Sequence, residues 1–390
     1  MIDAVVLLLL APLIVATLVF VTETGVGARR PVRRAQALPA YDPARVVVLV
    51  PAHDEATGIA AILAAQRAAM PAGMRLLVVA DNCSDDTAGV ARAAGAEVVE
   101  RHDPVRRGKG FALDHGRAVL AVAPPACVIV VDADTVPLGD ALDRLAAAAI
   151  ARGRPVQGAY YLTVGAADGP VARFSAAAFF VKNVVRALGA ARIGAPAILT
   201  GSGMAFPWTV FADLPLATGH VAEDLMLGVQ CSRAGVAPIF DAGARITGTG
   251  SSDRGTAVQR RRWESGFLQV AQDSALPLIG QALRQGRPAL GWLGLHLLTP
   301  PLVLLLALDG AATLAAAVLL ATGVAAWPFW LMAGITLLAA SLVVIGLAGH
   351  GRLDLLRDWA SMPSYLWWKL RLSLLALFRR ETRWIRTDRD

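Results

Sequence analysis

The chain has 390 residues, 56% of them hydrophobic, and a mean hydropathy of +0.54, which excludes an ordinary fully soluble protein. A net charge of +7 would suit nucleic acid, but the basic residues flank apolar segments, so membrane lipid is the expected partner and no nucleic acid is. Three widely spaced cysteines argue against a disulfide framework, and no Cys/His cluster has zinc-ligand spacing.

Residues 1–24 are predicted to form a transmembrane helix, because Ile2 to Val21 is almost wholly apolar and a crossing takes about 20 residues. A secretory signal would carry its basic residues in front; here Arg29, Arg30, Arg33 and Arg34 come after it, which predicts a retained helix with its N-terminus outside. A basic linker, 25–44, leads to a domain over 45–275. Arg45 to Val50 is a buried strand ended by Pro51-Ala-His-Asp-Glu55, and Thr57 to Met70 has helical spacing. Arg75 to Ala80 is a second strand. The turn Asp81-Asn-Cys-Ser-Asp-Asp-Thr87 combines turn and N-cap chemistry ahead of a helix through Ala94. A short strand at Glu97 to Glu100 and a loop with Arg106, Arg107 and Lys109 precede a helix from about Phe111 to Ala121. Then comes Val128-Ile-Val-Val-Asp-Ala-Asp-Thr-Val-Pro137, an apolar run suited to a strand buried on both faces, stopped by its proline. Such strand–helix alternation predicts a parallel, doubly wound sheet.

Further on, the pattern predicts helices at Ala141 to Arg152, Val171 to Leu188, Glu223 to Ala234 and Arg260 to Ala275, with a strand at Val156 to Val164. Residues 276–350 hold an interfacial segment and two membrane helices, Leu293 to Val324, bent at Pro300-Pro301, and Trp327 to Ala348. Arginines on both flanks of this block require an even number of crossings. Asp309 in the first must face protein or a polar gap. Residues 351–390 form an amphipathic interfacial helix, with Tyr365, Trp367, Trp368 and Trp384, and a basic tail.

Ligands of open α/β sheets gather at the carboxyl ends of the strands, where Asp132 and Asp134 lie on one side of the chain. Two adjacent carboxylates repel unless a cation such as Mg²⁺ or Mn²⁺ joins them; the plain alternative is a solvated turn. Asp81 can accept hydrogen bonds from a base or ribose, or be a turn residue, and Glu55 can be a solvated cap. Gly108-Lys109-Gly110 is no Walker loop, yet its lysine can reach a phosphate. Glu223-Asp224, after Thr200-Gly-Ser-Gly203-Met204, either complements a helix dipole or supplies a general base. Gln259-Arg-Arg-Arg262-Trp263 sets forks for phosphate beside an indole for a sugar ring, or is a juxtamembrane basic patch.

Together, V-P-A-H-D-E at 50–55, D-N-C-S-D-D-T at 81–87, D-A-D at 132–134, E-D at 223–224 and Q-R-R-R-W at 259–263 resemble the membrane-bound family 2 glycosyltransferases of the GT-A fold. That group includes cellulose, chitin and hyaluronan synthases and bacterial exopolysaccharide transferases. His53-Asp54 departs from the asparagine the family often has before the Glu. The resemblance implies an α/β GT-A domain, Rossmann-like with a mostly parallel sheet and flanking helices, plus transmembrane helices. It implies that Pro51, Glu55, Asp81 and Lys109 bind the donor, and that Asp132 and Asp134 hold its diphosphate through a divalent cation, Mg²⁺ or Mn²⁺. Asp224, beside Glu223, would be the base, with Gly203, Gln259, Arg262 and Trp263 at the diphosphate and acceptor. The implied reaction is inverting transfer of a hexose from a nucleotide sugar, a UDP-sugar, to a lipid-linked or glycan acceptor in exopolysaccharide or glycolipid synthesis. The implied setting is multi-pass in a bacterial inner membrane, catalytic domain in the cytoplasm, with room for an oligomer. Three spans are too few to enclose a polysaccharide channel. The alternatives are a processive synthase that borrows a channel and a non-catalytic assembly subunit.

Overall fold

The computed structural model describes residues 2–30, 38–165, 168–249 and 253–378, with side chains over the same ranges except 2, 249–262 and 375–378. Helix α1 (Ile2–Gly27) precedes the sheet domain. Strand β1 (Val46–Ala52) opens it with five successive residues at 0% exposure, as a strand covered on both faces requires. Helix α2 (Ile59–Ala68) leads to β2 (Arg75–Asp81), α3 (Thr87–Ala93) to β3 (Glu97–Arg101), and α4 (Lys109–Leu120) to β4 (Cys127–Val130). Strands β1, β2, β3 and β4 pair in parallel. Pro51 lies inside β1, not after it. Because β4 ends at Val130, opposite Leu49, the N–H that proline lacks falls where the sheet opens.

Then the pattern changes. Strand β5 (Thr135–Leu138) is followed by α5 (Ala141–Arg152), β6 (Val156–Thr163) and a long helix: α6 (Pro170–Phe180), a π-helical turn (Val181–Arg186) and α7 (Ala187–Arg192). Strand β7 (Met204–Pro207), α8 (Trp208–Phe211), α9 (Glu223–Arg233) and β8 (Ile239–Thr249) complete the domain, in the sheet order β3-β2-β1-β4-β7-β6-β8-β5. This corrects the mostly parallel sheet the sequence implied. Strand β7 runs antiparallel to β4 and β6, and β5 antiparallel to β8, so the second half is mixed. Nor does Pro137 stop a strand. The chain leaves β4 before Asp132, and Pro137 sits within β5, an edge strand that tolerates it.

The helical end comprises α10 (Asp253–Gln285), α11 (Pro288–Leu298), α12 (Leu302–Ala321), α13 (Trp327–Gly349) and α14 (Met362–Phe378). The expected bent span is two helices, because Thr299, Pro300 and Pro301 break it and turn α11 into the protein. Four described helices are long and apolar enough to cross a membrane. The stretch Pro170–Arg192 is 72% buried, packed between the sheet domain and α1, whereas α1, α12 and α13 are only 22–28% buried. Leu8, Leu9, Leu314 and Leu337 of these three helices are exposed, as suits side chains facing lipid. Asp309 is fully buried and accepts the Thr17 hydroxyl at 2.9 Å, as its place in an apolar helix demands.

Helix α1 meets the 170–192 helix at backbone contact. A Cβ on Gly189 would lie 1.8 Å from the Glu23 carbonyl oxygen, so only glycine permits this approach. The Glu23 carboxylate is fully buried there. It accepts from Arg186 Nε at 2.8 Å and Trp292 Nε1 at 3.0 Å, and lies 2.8 Å from His296 Nδ1. Three elements are tied to one charge. Replacing Glu23 by Ala leaves the Arg186 charge buried without its counter-ion, which should destabilise the protein by about 3–5 kcal/mol. A depressed Tm in detergent checks this, with Leu9→Ala on the lipid-facing side changing it little.

Candidate active site

A cleft, open at its mouth, runs from the carboxyl ends of β1, β2 and β4 to the helical end of the protein. Pro51, Glu55, Asp81, Lys109, Asp132, Asp134, Glu223, Asp224 and Trp263 all line it. The turns after successive parallel strands open on the same edge of the sheet, which is what gathers residues so distant in sequence.

At one end, Asp81 closes β2 and is 6% exposed. Its carboxylate accepts from Arg101 Nη1 at 2.6 Å and Asn82 Nδ2 at 3.0 Å, while Arg101 stands over the Phe111 ring. Arg101 was not singled out from sequence, because a charged residue at the end of a short strand reads as solvated. The Glu55 N–H donates to Thr87 Oγ1 at 2.8 Å, joining the turn after β1 to the start of α3. His53, Asp54 and Cys83 each bring a ligand-type atom within 4.8 Å of the others. The Asp54 carboxylate accepts the Ser84 N–H at 2.6 Å and burial pushes the Cys83 thiol up, so this cluster braces two turns.

In the middle, the Asp132-Ala-Asp134 loop is held from behind. The Gln66 amide donates to the carbonyls of Asp132 at 3.0 Å and Thr135 at 2.9 Å, and Ser202 Oγ accepts the Asp132 N–H at 3.1 Å. Lys109 Nζ donates to Asp132 Oδ1 at 2.5 Å and to the Gly201 carbonyl at 2.6 Å. Gly201, at φ +88°, is the close-approach point: a Cβ there would lie 3.2 Å from Asp224 Oδ2, 3.4 Å from Lys109 Nζ and 3.8 Å from Asp132 Oδ2. Gly203, expected at the acceptor, is corrected. It is buried between strands, does not line the cleft, and a Cβ on it would meet Ile246 at 2.4 Å.

Burial pushes the carboxyls of both Glu223 and Asp224 up. The Asp224 charge raises Glu223 further, the Asp132 charge raises both, and the Lys109 ammonium pulls both down. Asp132 and Asp134 offer only carboxylate oxygens, the donor set that hard cations such as Mg²⁺ and Mn²⁺ take. Asp132 Oδ2 faces the same point beside Gly201 as Asp224 Oδ2 does, so negative charge is in excess there and the residues fit a divalent cation. Beyond Asp224, Trp263 packs tilted against Phe179 with ring centroids 5.7 Å apart. The side chains of Gln259 and Arg262, its expected companions, lie outside the described residues.

Residues 43–266 match the family described as Glycosyltransferase like family 2. Three curated proteins, described as uncharacterized glycosyltransferases of Mycobacterium bovis and of two strains of Mycobacterium tuberculosis, are each 41% identical over 123 residues. That stretch is 30% of this chain and 52% of theirs, so the chain spans about half the length of the curated relatives it matches. Among solved structures, the mannosyltransferase PcManGT from Pyrobaculum calidifontis, in complex with GDP-Man and Mn²⁺, is similar with a TM-score of 0.57. The likeness covers 98% of this chain and 100% of that one at 18% identity, and shows a shared GT-A-like α/β fold. The matched region takes in more than half of the chain and every motif from Val50 to Trp263, and the chain belongs to glycosyltransferase family 2.

Proposed function

We propose that the protein is an inverting glycosyltransferase. It moves a hexose from a nucleotide sugar, a UDP-sugar, to a membrane-associated, lipid-linked acceptor in exopolysaccharide or glycolipid synthesis. Its catalytic domain lies on the cytoplasmic face of a bacterial inner membrane. The observation that carries this is the continuous cleft. Asp81 and Glu55 stand at one end, the acidic centre in the middle, and the loop before α12, a lipid-exposed helix, at the other. Arg29 and Arg30 after α1, and Arg352 and Arg357 after α13, support the cytoplasmic side.

The donor lies with its nucleoside toward Asp81 and Glu55 and its diphosphate toward Lys109 and the Asp132/Asp134 pair. A divalent cation bound by those aspartates supplies Lewis-acid neutralisation of the departing diphosphate. Asp224 takes the proton from the acceptor hydroxyl as its oxygen attacks the anomeric carbon. The new C–O bond forms on the face opposite the breaking bond to phosphate, and the electron pair of that bond leaves with the nucleoside diphosphate. Attack by the acceptor oxygen itself, with Asp224 as base, is a single displacement, hence inversion, by analogy with the carboxylate logic of glycosidases. Trp263 offers an apolar face to the acceptor sugar.

Asp224→Asn should lower transfer by about 10²–10⁴-fold while nucleotide binding with Mn²⁺ stays near wild type, measured by nucleoside diphosphate release and by titration calorimetry. Undiminished transfer would sink the assignment. Because the base acts deprotonated and burial raises its pKa, activity should fall as pH drops through a value above that of an ordinary aspartate. A pH–rate profile at saturating donor checks this; an acidic limb at the ordinary aspartate position would count against Asp224.

A further inference from the structure

The cleft does not end at the catalytic carboxylates. It continues between the 170–192 helix, α10, the Pro300-Pro301 break and α14. Two cations at this end are already neutralised, Arg186 by Glu23 and Lys369 by Glu264. Lys182 is different. It is exposed, lines the cleft, and has neither an ion pair nor a hydrogen bond among the described residues; its ammonium stands 5.6 Å over the Phe267 ring. Seven positions earlier, two turns back on the same helix face, Ser175 also lines the cleft. It is 3% exposed, and its buried hydroxyl has no hydrogen-bond partner among the described residues, an omission that a bound acceptor oxygen repairs. Lys182 also belongs to the π-helical turn, a local widening that recurs where a helix re-aims side chains at a functional site.

The surroundings define the ligand. Phe267, Leu302 and Val303 make the walls apolar, and the throat lies against α12, whose outer face meets lipid. An ammonium with no ion pair or hydrogen bond among the described residues and an unused hydroxyl, set beside apolar side chains, suit an anion carried on an apolar body. A phosphate has enough oxygens to accept from both at once. We infer that Lys182 and Ser175 hold the phosphate of a lipid acceptor, whose chain leaves past Leu302 and Val303 toward the bilayer. The word acceptor rests on the proposed transfer reaction; the binding site does not depend on turnover. Lys182 and Asp224 line the same cleft, so a phosphate held at Lys182 leaves the neighbouring part of the acceptor within the cavity that holds the base.

The test is binding by the full chain in detergent, titrated with farnesyl monophosphate, farnesol, inorganic phosphate and, separately, UDP with Mn²⁺. Wild type should bind farnesyl monophosphate saturably and discriminate against farnesol and inorganic phosphate. Lys182→Gln should weaken that binding about tenfold or more and Ser175→Ala by a smaller factor, while Lys182→Arg retains most of it. Equal binding by wild type and Lys182→Gln overturns the proposal. So does displacement by inorganic phosphate or by UDP as effective as by the lipid, since the site would then read phosphate alone or belong to the donor. Wild type that binds UDP with Mn²⁺ but not farnesyl monophosphate overturns this inference and leaves the proposed reaction standing. Failure to bind UDP with Mn²⁺ counts against the reaction itself.

Discussion

Asp132, Glu223 and Asp224 crowd around one point with Lys109 as their close counter-charge, and the rest of the fold can be understood as the frame that holds them there. Like charges in a poorly hydrated space repel strongly, so nothing local favours the arrangement. It is imposed from outside. Gln66 and Ser202 fix the backbone of the Asp132 loop, and Gly201 lets the chain pass close enough for Lys109 to bond its carbonyl. A scaffold that forces carboxylates together stores an affinity for whatever positive charge can enter, and a divalent cation meets that need more fully than one ammonium does.

The first half of the domain was legible because its chemistry is repetitive. Buried aliphatic strands alternate with helices up to Val130, and each acidic motif comes after a strand end. The second half resisted for physical reasons. Strand β7 is preceded by Gly201, Ser202 and Gly203, which read as loop; Gly201 is required by its φ of +88°, and Gly203 because Ile246 leaves no space for a side chain. Pro137 reads as a stop but lies on the sheet edge, where its missing donor does no harm. The acidic centre was visible from the pair at 132 and 134. Its supports were not, since one glutamine in an alanine-rich helix has no periodicity. Lys182 was invisible for a related reason: a lysine on a helix that also carries Arg173, Arg186 and Arg192 suggests a solvated face, and only the fold shows that it lines the cleft.

Catalytic domain and membrane helices are not two bodies on a tether. The 170–192 helix packs on the sheet domain with one face and receives α1 with another, at glycine contact and around the buried Glu23. Helix α14 closes the arrangement from the other side, through Lys369 and Ser373 bonding to Glu264 of α10. The position of the acidic centre relative to the long apolar helices is therefore fixed by packing.

The widened turn at Val181–Arg186 carries a consequence for how such a chain can vary. Each residue inserted into or removed from a helix rotates the part of the helix beyond it by about 100°. Ser175 and Lys182 lie at or before this turn, while Arg186 ends it and Gly189 comes after. Losing one residue there would keep the first pair aimed into the cleft but swing Arg186 away from Glu23 and bring a side chain where Gly189 must be. The length of this segment is thus more tightly constrained than its composition, and substitutions should be tolerated there more readily than any change in residue number.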